Sequence, residues 1–296
     1  MRAVSARARV SLKTILYATD FSSVAEQAVP LVLELACRYS SKVLAVHACA
    51  PSVHGLAPPE SWPSPDEACE KQEAEQADRM KRLFRAVDQE AIIGKGEIWD
   101  ILSAIIKQRH VDLLVVGTHG RKELEMVLLG SGAEKILRRA ACPVVTVGPR
   151  VHPDPAHATH LRQILFATDF SAESHVAVSV AVSLAEEKEA HLDLLHVIEC
   201  PESNVFARHE QVASFIERLW EVISADARLG LEADFLIEQG NPAEQVLNVA
   251  KKRRPDMIVL GIRHVEGDLG VSTHLPWLIA HKIISEAPCP ILTGCL

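Results

Sequence analysis

The chain has 296 residues, of which 48% are hydrophobic and 24% charged, and its formal net charge is −8. That length suits two domains of roughly 150 residues, and the composition is that of a globular rather than a disordered protein. The acidic balance argues against nucleic-acid backbones or anionic membranes as main partners, and no apolar run approaches the ~18 residues that span a bilayer.

In chain order, the opening "MRAVSARARVSLK" is basic but lacks the apolar core of a signal peptide, so a frayed tail is expected there. Lys13–Thr19 and Lys42–His47 are short apolar runs rich in β-branched residues, as buried strands require. Between them Ser23–Tyr39 has helical spacing and opens on Ser23-x-x-Glu26, a capping-box pattern. "APSVHGLAPPESWPSP" is a loop, either a partner surface anchored by Trp62 or a cover over a cleft. A helix is expected from Ser64-Pro65-Asp66-Glu67. Then follow a strand at Ala91–Gly94, a helix at Ile98–Arg109, a strand at Asp112–Gly117, a helix at Ser131–Arg139 and a strand at Pro143–Val147.

The chain then says the same thing again. "ILYATDFS" at Ile15 returns as "ILFATDFS" at Ile164. "LAVHACAP" is answered by "LDLLHVIECP", aligning His47 with His196; "VDLLVVGTHG" by "PDMIVLGIRH"; and "AACPVVTVGP" by "EAPCPILTGC". Four landmarks in one order imply a duplicated domain. The expected organisation is a first domain at 10–149, a proline-rich linker at 150–160 and a second domain at 161–296. Three histidines in or beside that linker, His152, His157 and His160, read as solvated. Asn241-Pro242-Ala243-Glu244 marks a helix start in the second copy. Alternating strands and helices imply an α/β fold: two tandem doubly wound domains, each a five-stranded parallel sheet with helices on both faces. Seven cysteines without a Cys-x-x-Cys pair suggest reduced thiols and a cytoplasmic setting. A redox role through Cys49 or Cys200 is a minor alternative.

In open parallel sheets ligands sit beyond the carboxyl ends of the strands, where strand order reverses. Gly117 and Asp20 both lie at such ends. Glycines there let backbone N–H groups approach an anion, and a helix opening at Ser131 offers free N–H groups and a partial positive charge. Glycines alone leave two readings open. Ser131-x-x-Glu134 also fits a capping box, with Gly117 and Gly130 as turn residues.

Gly117-x2-Gly120-x9-Gly130-Ser131 resembles the nucleotide-binding signature of the universal stress protein family, G-2x-G-9x-G-(S/T). "ATDFS" after the first strand, the histidine closing the second and "CPV" before the last are similar to the same family. The resemblance covers both halves. It implies a fold like that of the adenine nucleotide alpha hydrolases, with ATP, accompanied by Mg2+, between strands one and four. Carried onto this sequence, Ala18, Thr19, Asp20 and Ala48 would meet the adenine, and Val116 and Gly117 the ribose. His119, Gly120, Arg121, Gly130, Ser131, Gly132 and Ala133 would surround the phosphates. Asp20 has a second reading as a cap residue, because Asp169 keeps its place in the other copy. Arg121 and Lys122 read equally as a solvated rim.

The second copy keeps Asp169, His196 and Gly261, but His264 replaces the second glycine. Trp277 and Leu278 align with Gly130 and Ser131, and a tryptophan there would fill a phosphate seat. "EGDLGVST" still offers two glycines and two hydroxyls to some other anion, but its Glu266 and Asp268 repel phosphate. The second domain is therefore expected to serve as a structural partner, its last strand pairing with that of the first. His47 and His196 are expected to be hydrogen-bonded core residues.

Three functions fit. One is an ATP-binding regulatory stress protein signalling by occupancy, with a homodimer and an unidentified protein partner possible in addition. Another is a slow ATPase, for which Glu123 and Glu125 are the available carboxylates, with no Walker-type lysine in view. The third is an interaction module that binds no nucleotide.

Overall fold

The computed structural model describes residues 11–49, 65–118, 129–151, 161–200, 204–223, 231–262 and 274–294. The first half runs β1 (Thr14–Ala18), α1 (Ser23–Gln27), α2 (Val29–Tyr39), β2 (Lys42–Cys49), α3 (Pro65–Leu83), β3 (Gln89–Lys95), α4 (Ile98–Arg109), β4 (Leu113–Gly117), α5 (Ser131–Arg139) and β5 (Val144–Val147). The second runs β6 (Gln163–Thr168), α6 (Ala172–Lys188), β7 (His191–Ile198), α7 (Val205–Val222), β8 (Ala233–Gln239), α8 (Pro242–Arg253), β9 (Met257–Gly261), α9 (His274–Glu286) and β10 (Ile291–Gly294).

The ten strands make one sheet in the order β3-β2-β1-β4-β5-β10-β9-β6-β7-β8. Within each half every pairing is parallel. The halves meet where β5 and β10 pair antiparallel, Val145 opposite Leu292. Thr146 donates to the Ile291 carbonyl and Thr293 to the Val144 carbonyl, so buried hydroxyls stitch the seam from both sides. Two strands that would otherwise expose unpaired N–H and C=O groups cover each other.

Strand alternation sorts the core onto two faces. One face gathers Ile15, Tyr17, Val43, Ala45 and Val115 against α2, α3, α6 and α7, through Leu35, Met80, Phe84, Ala181 and Leu219. The other gathers Leu16, Leu44, Val46 and Leu114 against α4, α5, α8 and α9, through Leu102, Ile136, Val246 and Ile283. Each core runs through both halves. Side chains such as Phe84 and Leu102 are wholly buried, each worth about 1.5–3 kcal/mol.

Two local expectations change. Ser23–Tyr39 is not one helix but α1 and α2, broken at Ala28 ahead of Pro30. Proline lacks the N–H and its ring clashes with the carbonyl four residues back. Ser179 stands at the matching position in the other half, and α6 is continuous. The cap of α1 is Ser22, which accepts from the Ala25 N–H at 3.2 Å. Glu26 is turned to Arg79 instead of closing a capping box. The Asn241 start is seen as expected, accepting from the Glu244 N–H at 3.2 Å.

Candidate functional site

β1 pairs with β2 on one side and β4 on the other, so strand order reverses between β1 and β4. Ala18 lies opposite Val46 on β2 and Val116 on β4. A crevice is therefore expected above these three strand ends.

The chain leaves β1 through a tight turn. Thr19 Oγ1 accepts from the Phe21 N–H at 2.9 Å, and Asp20 Oδ1 accepts from the Ser22 N–H at 2.9 Å. These bonds hold Phe21 at φ 60°, an unfavourable torsion for an aromatic residue. The second half repeats the turn with Thr168, Asp169, Phe170 at φ 61° and Ser171. Asp20 thus has a structural task shared with Asp169, in the half without the glycine signature. Burial raises the Asp169 carboxyl, but hydrogen bonds from Ser171 and Ser174 outweigh it and hold the group below its ordinary value.

His47 is buried, its Nδ1 2.7 Å from the Thr19 carbonyl and its ring 4.7 Å from that of Phe21. His196 repeats this at 2.9 Å from the Thr168 carbonyl, and its pKa is lowered chiefly by burial. Both are hydrogen-bonded histidines supporting the turn, as the sequence suggests, though His47 is buried and His196 only partly so. Ala48 follows at the half-buried end of β2, opposite Gly94.

Gly117 ends β4 against α1: a Cβ there would lie 3.1 Å from the Ala25 Cα and N. Gly261 is tighter still against α6, where a Cβ would lie 2.6 Å from Ser174 Cα and closer to Ser174 N. The first glycine of the signature is therefore required by strand–helix packing in both halves, whatever it also does for a ligand.

Thr118 is buried, and its carbonyl accepts the Gly130 N–H at 2.8 Å. That bond ties the strand end to the start of α5 and engages a donor that the resemblance would assign to phosphate. Gly130 is the N-cap of α5, at φ −60° and ψ 142°. Any residue adopts those torsions, so backbone strain does not explain this glycine. Its use is the absence of a side chain. The cap has no side-chain hydrogen bond, Ser131 is the exposed first helical residue, and Glu134 pairs with Arg138 at 3.0 Å. The capping box that Ser131 and Glu134 suggested is not formed. The first-turn N–H groups of Ser131, Gly132 and Ala133 carry the positive end of the helix dipole with no side-chain cap over them. Gly132 leaves space around its own Cα: an added Cβ would meet only Ile98 Cγ2, at 3.9 Å.

Ala18, Thr19, Asp20, Ala48, Val116, Gly117, Gly130, Ser131, Gly132 and Ala133 thus all lie at the carboxyl ends of β1, β2 and β4 or the start of α5. His119, Gly120, Arg121, Lys122, Glu123 and Glu125 lie outside the described residues, as do Trp62, the linker histidines and Glu266–Thr273. Thr118 is the residue sequence reasoning passed over. Its role is played by a backbone carbonyl, which leaves no trace in residue type.

In the second half α9 begins at His274, while the counterpart of Ser131 is Leu278, four positions later. N–H groups from Leu278 onward fall inside the helix and bond to carbonyls one turn back. The donors that are uncapped in α5 are consumed in α9. Trp277 packs at the seam, with the Arg138 guanidinium 4.1 Å from its ring centre. A longer helix, as well as the tryptophan, therefore distinguishes this corner from the start of α5.

Cys49 is half-buried, and its thiol is pushed up by burial and by Glu73, which makes it a poor nucleophile.

With this geometry in view, the chain can be compared with known proteins. A family model described as the universal stress protein family matches residues 11–148 and 160–293. The chain belongs to the universal stress protein family. A universal stress protein of Bacillus subtilis is 28% identical over 145 residues, covering 44% of this chain and 96% of that protein. One of Mycobacterium bovis is 28% identical over 194 residues, covering 62% of this chain and 61% of its own length, so the match leaves over a third of that relative uncovered. Among solved structures, a universal stress protein from Archaeoglobus fulgidus aligns over 97% of both chains with a TM-score of 0.70 at 17% identity. That likeness establishes the tandem α/β fold. Among the described residues, no helix is long and apolar enough to cross a membrane.

Proposed function

We propose that this universal stress protein is a regulator that holds ATP in its first half and signals by occupancy, with the second half as its fixed structural partner. The observation that carries the reading is the start of α5. The glycine signature ends on a helix N-terminus with no side-chain cap, at the point where strand order reverses. Ser131, Gly132 and Ala133 N–H groups and the Ser131 hydroxyl would bind phosphate oxygens. Val116 and Gly117 would line the ribose, and the ends of β1 and β2 would receive the adenine. Bound Mg2+ would neutralise phosphate charge. Gly130 contributes space rather than a donor, since its N–H is held by Thr118.

The test is calorimetric titration of the whole chain with MgATP, beside Ser131→Glu. A carboxylate at the first helical position suits the dipole and should leave the fold unchanged or about 0.3–1 kcal/mol more stable. In the phosphate seat it repels the ligand. One ATP per chain, weakened roughly tenfold or more by Ser131→Glu, supports the reading. Two sites per chain, or unchanged affinity in the variant, overturns it.

A further inference from the structure

A second cluster lies at the opposite end of the sheet, in the half without the glycine signature. His191 opens β7, Asp193 follows two residues later on the same face, and Asp234 on β8 is the register partner of Asp193. His191 Nε2 is 3.6 Å from Asp193 Oδ1 and 3.4 Å from Asp234 Oδ2. Asp193 is wholly buried, and its Oδ1 has no hydrogen-bond partner; neither has the buried His191 Nε2. These two atoms face each other at a distance too long for a hydrogen bond.

The first half shows what this corner does without such a cluster. Lys42 replaces His191, Leu44 replaces Asp193, and Glu90 stands for Asp234. There one carboxylate serves two cations: Lys42 at 2.8 Å and Arg109 at 2.6 Å. In the second half two carboxylates share one permanent cation, Arg253, 3.1 Å from Asp234 Oδ2 and 3.9 Å from Asp193 Oδ1. A buried carboxylate has been added where the other half has leucine, and a fixed cation has been exchanged for a metal-ligating imidazole. Burying such a charge without compensation is costly.

We propose that His191, Asp193 and Asp234 form a Zn2+ site. Zinc binds imidazole nitrogen and carboxylate oxygen at about 2.0–2.2 Å, so tetrahedral ligands stand about 3.4 Å apart. The two histidine–carboxylate spacings, 3.4 and 3.6 Å, are close to that value, and all three ligand atoms lie within 4.8 Å of one another. Gln163 Nε2 donates to Asp193 Oδ2 at 2.7 Å, which orients the carboxylate and leaves Oδ1 to the metal. His191 and Asp234 are partly exposed, giving the ion an entry path and a solvent molecule the fourth position. The site is independent of the nucleotide reading.

The experiment uses the whole chain, stripped with chelator and titrated with Zn2+ by calorimetry and thermal melting. Co2+ serves as a second probe, because its visible absorption reports tetrahedral ligation. The variants His191→Lys and Asp193→Leu copy the first half, so a fold that tolerates those residues there should tolerate them here. Both keep His152, His157 and His160. The expected result is one Zn2+ per chain, a tetrahedral Co2+ spectrum, and a melting point raised by roughly 5 °C when free zinc is a hundredfold above Kd. Both variants should lose all three. Absence of binding in the natural chain overturns the site. Binding that survives either variant also overturns it, and survival in both assigns the metal to the linker histidines.

Discussion

The starts of α5 and α9 occupy equivalent places in the two halves and end up with opposite properties. In α5 a glycine cap leaves three N–H groups uncapped by a side chain beneath an exposed serine. In α9 the helix begins four residues earlier, and the equivalent N–H groups lie within its hydrogen-bond ladder. The turns after β1 and β6, the histidines beneath them and the glycines ending β4 and β9 are alike. A shared frame therefore does not make a shared helix start. The position at which one helix begins decides whether the equivalent donors are left uncapped or bond within their own helix.

The largest expected effect tests the seam between the halves. Trp277→Ala removes a buried ring and its contact with Arg138, and should cost about 3–5 kcal/mol in denaturant unfolding. A loss below 1 kcal/mol would show that Trp277 contributes little to the seam. Next come the paired glycines. Gly261→Ala forces a Cβ into the backbone of α6 and should cost about 3 kcal/mol. Gly117→Ala meets α1 at a looser 3.1 Å and should cost about 1 kcal/mol. Equal losses would mean that the two strand–helix contacts are not as different as the geometry says.

A smaller effect sharpens the contrast at the other end of the sheet. Hydrogen bonds from Arg109 and then Lys42 hold the Glu90 carboxyl at about 2, below its ordinary 4.5. A depressed carboxyl adds stability above its unfolded pKa and loses that stability as pH falls through its folded one. This contribution should be complete above about pH 5 and vanish between pH 4.5 and 2. Because Glu90 is more than a third exposed with its partners, Glu90→Gln should cost only about 0.5 kcal/mol at pH 7. Chemical denaturation at pH 7 and pH 2 would measure both. A Glu90→Gln loss that persists undiminished at pH 2 would remove the electrostatic explanation.

Much of this could be read along the chain. The repeat, the strand and helix order, the Asn241 cap and the hydrogen-bonded histidines follow from local pattern, because hydrophobic period and capping chemistry are written in neighbouring residues. The glycine signature was legible for the same reason. Pro30 announced a break that the helical spacing around it concealed. What only the tertiary structure decided depends on atoms distant in sequence. The Gly130 N–H is engaged by Thr118, Gly117 is required by Ala25, and Trp277 faces Arg138 of the other half. Asp193 and Asp234 stand 41 residues apart and become neighbours only through the β7–β8 register. A carbonyl acceptor, a missing Cβ and a strand register carry no signature in residue type. They exist only once packing has brought the partners together.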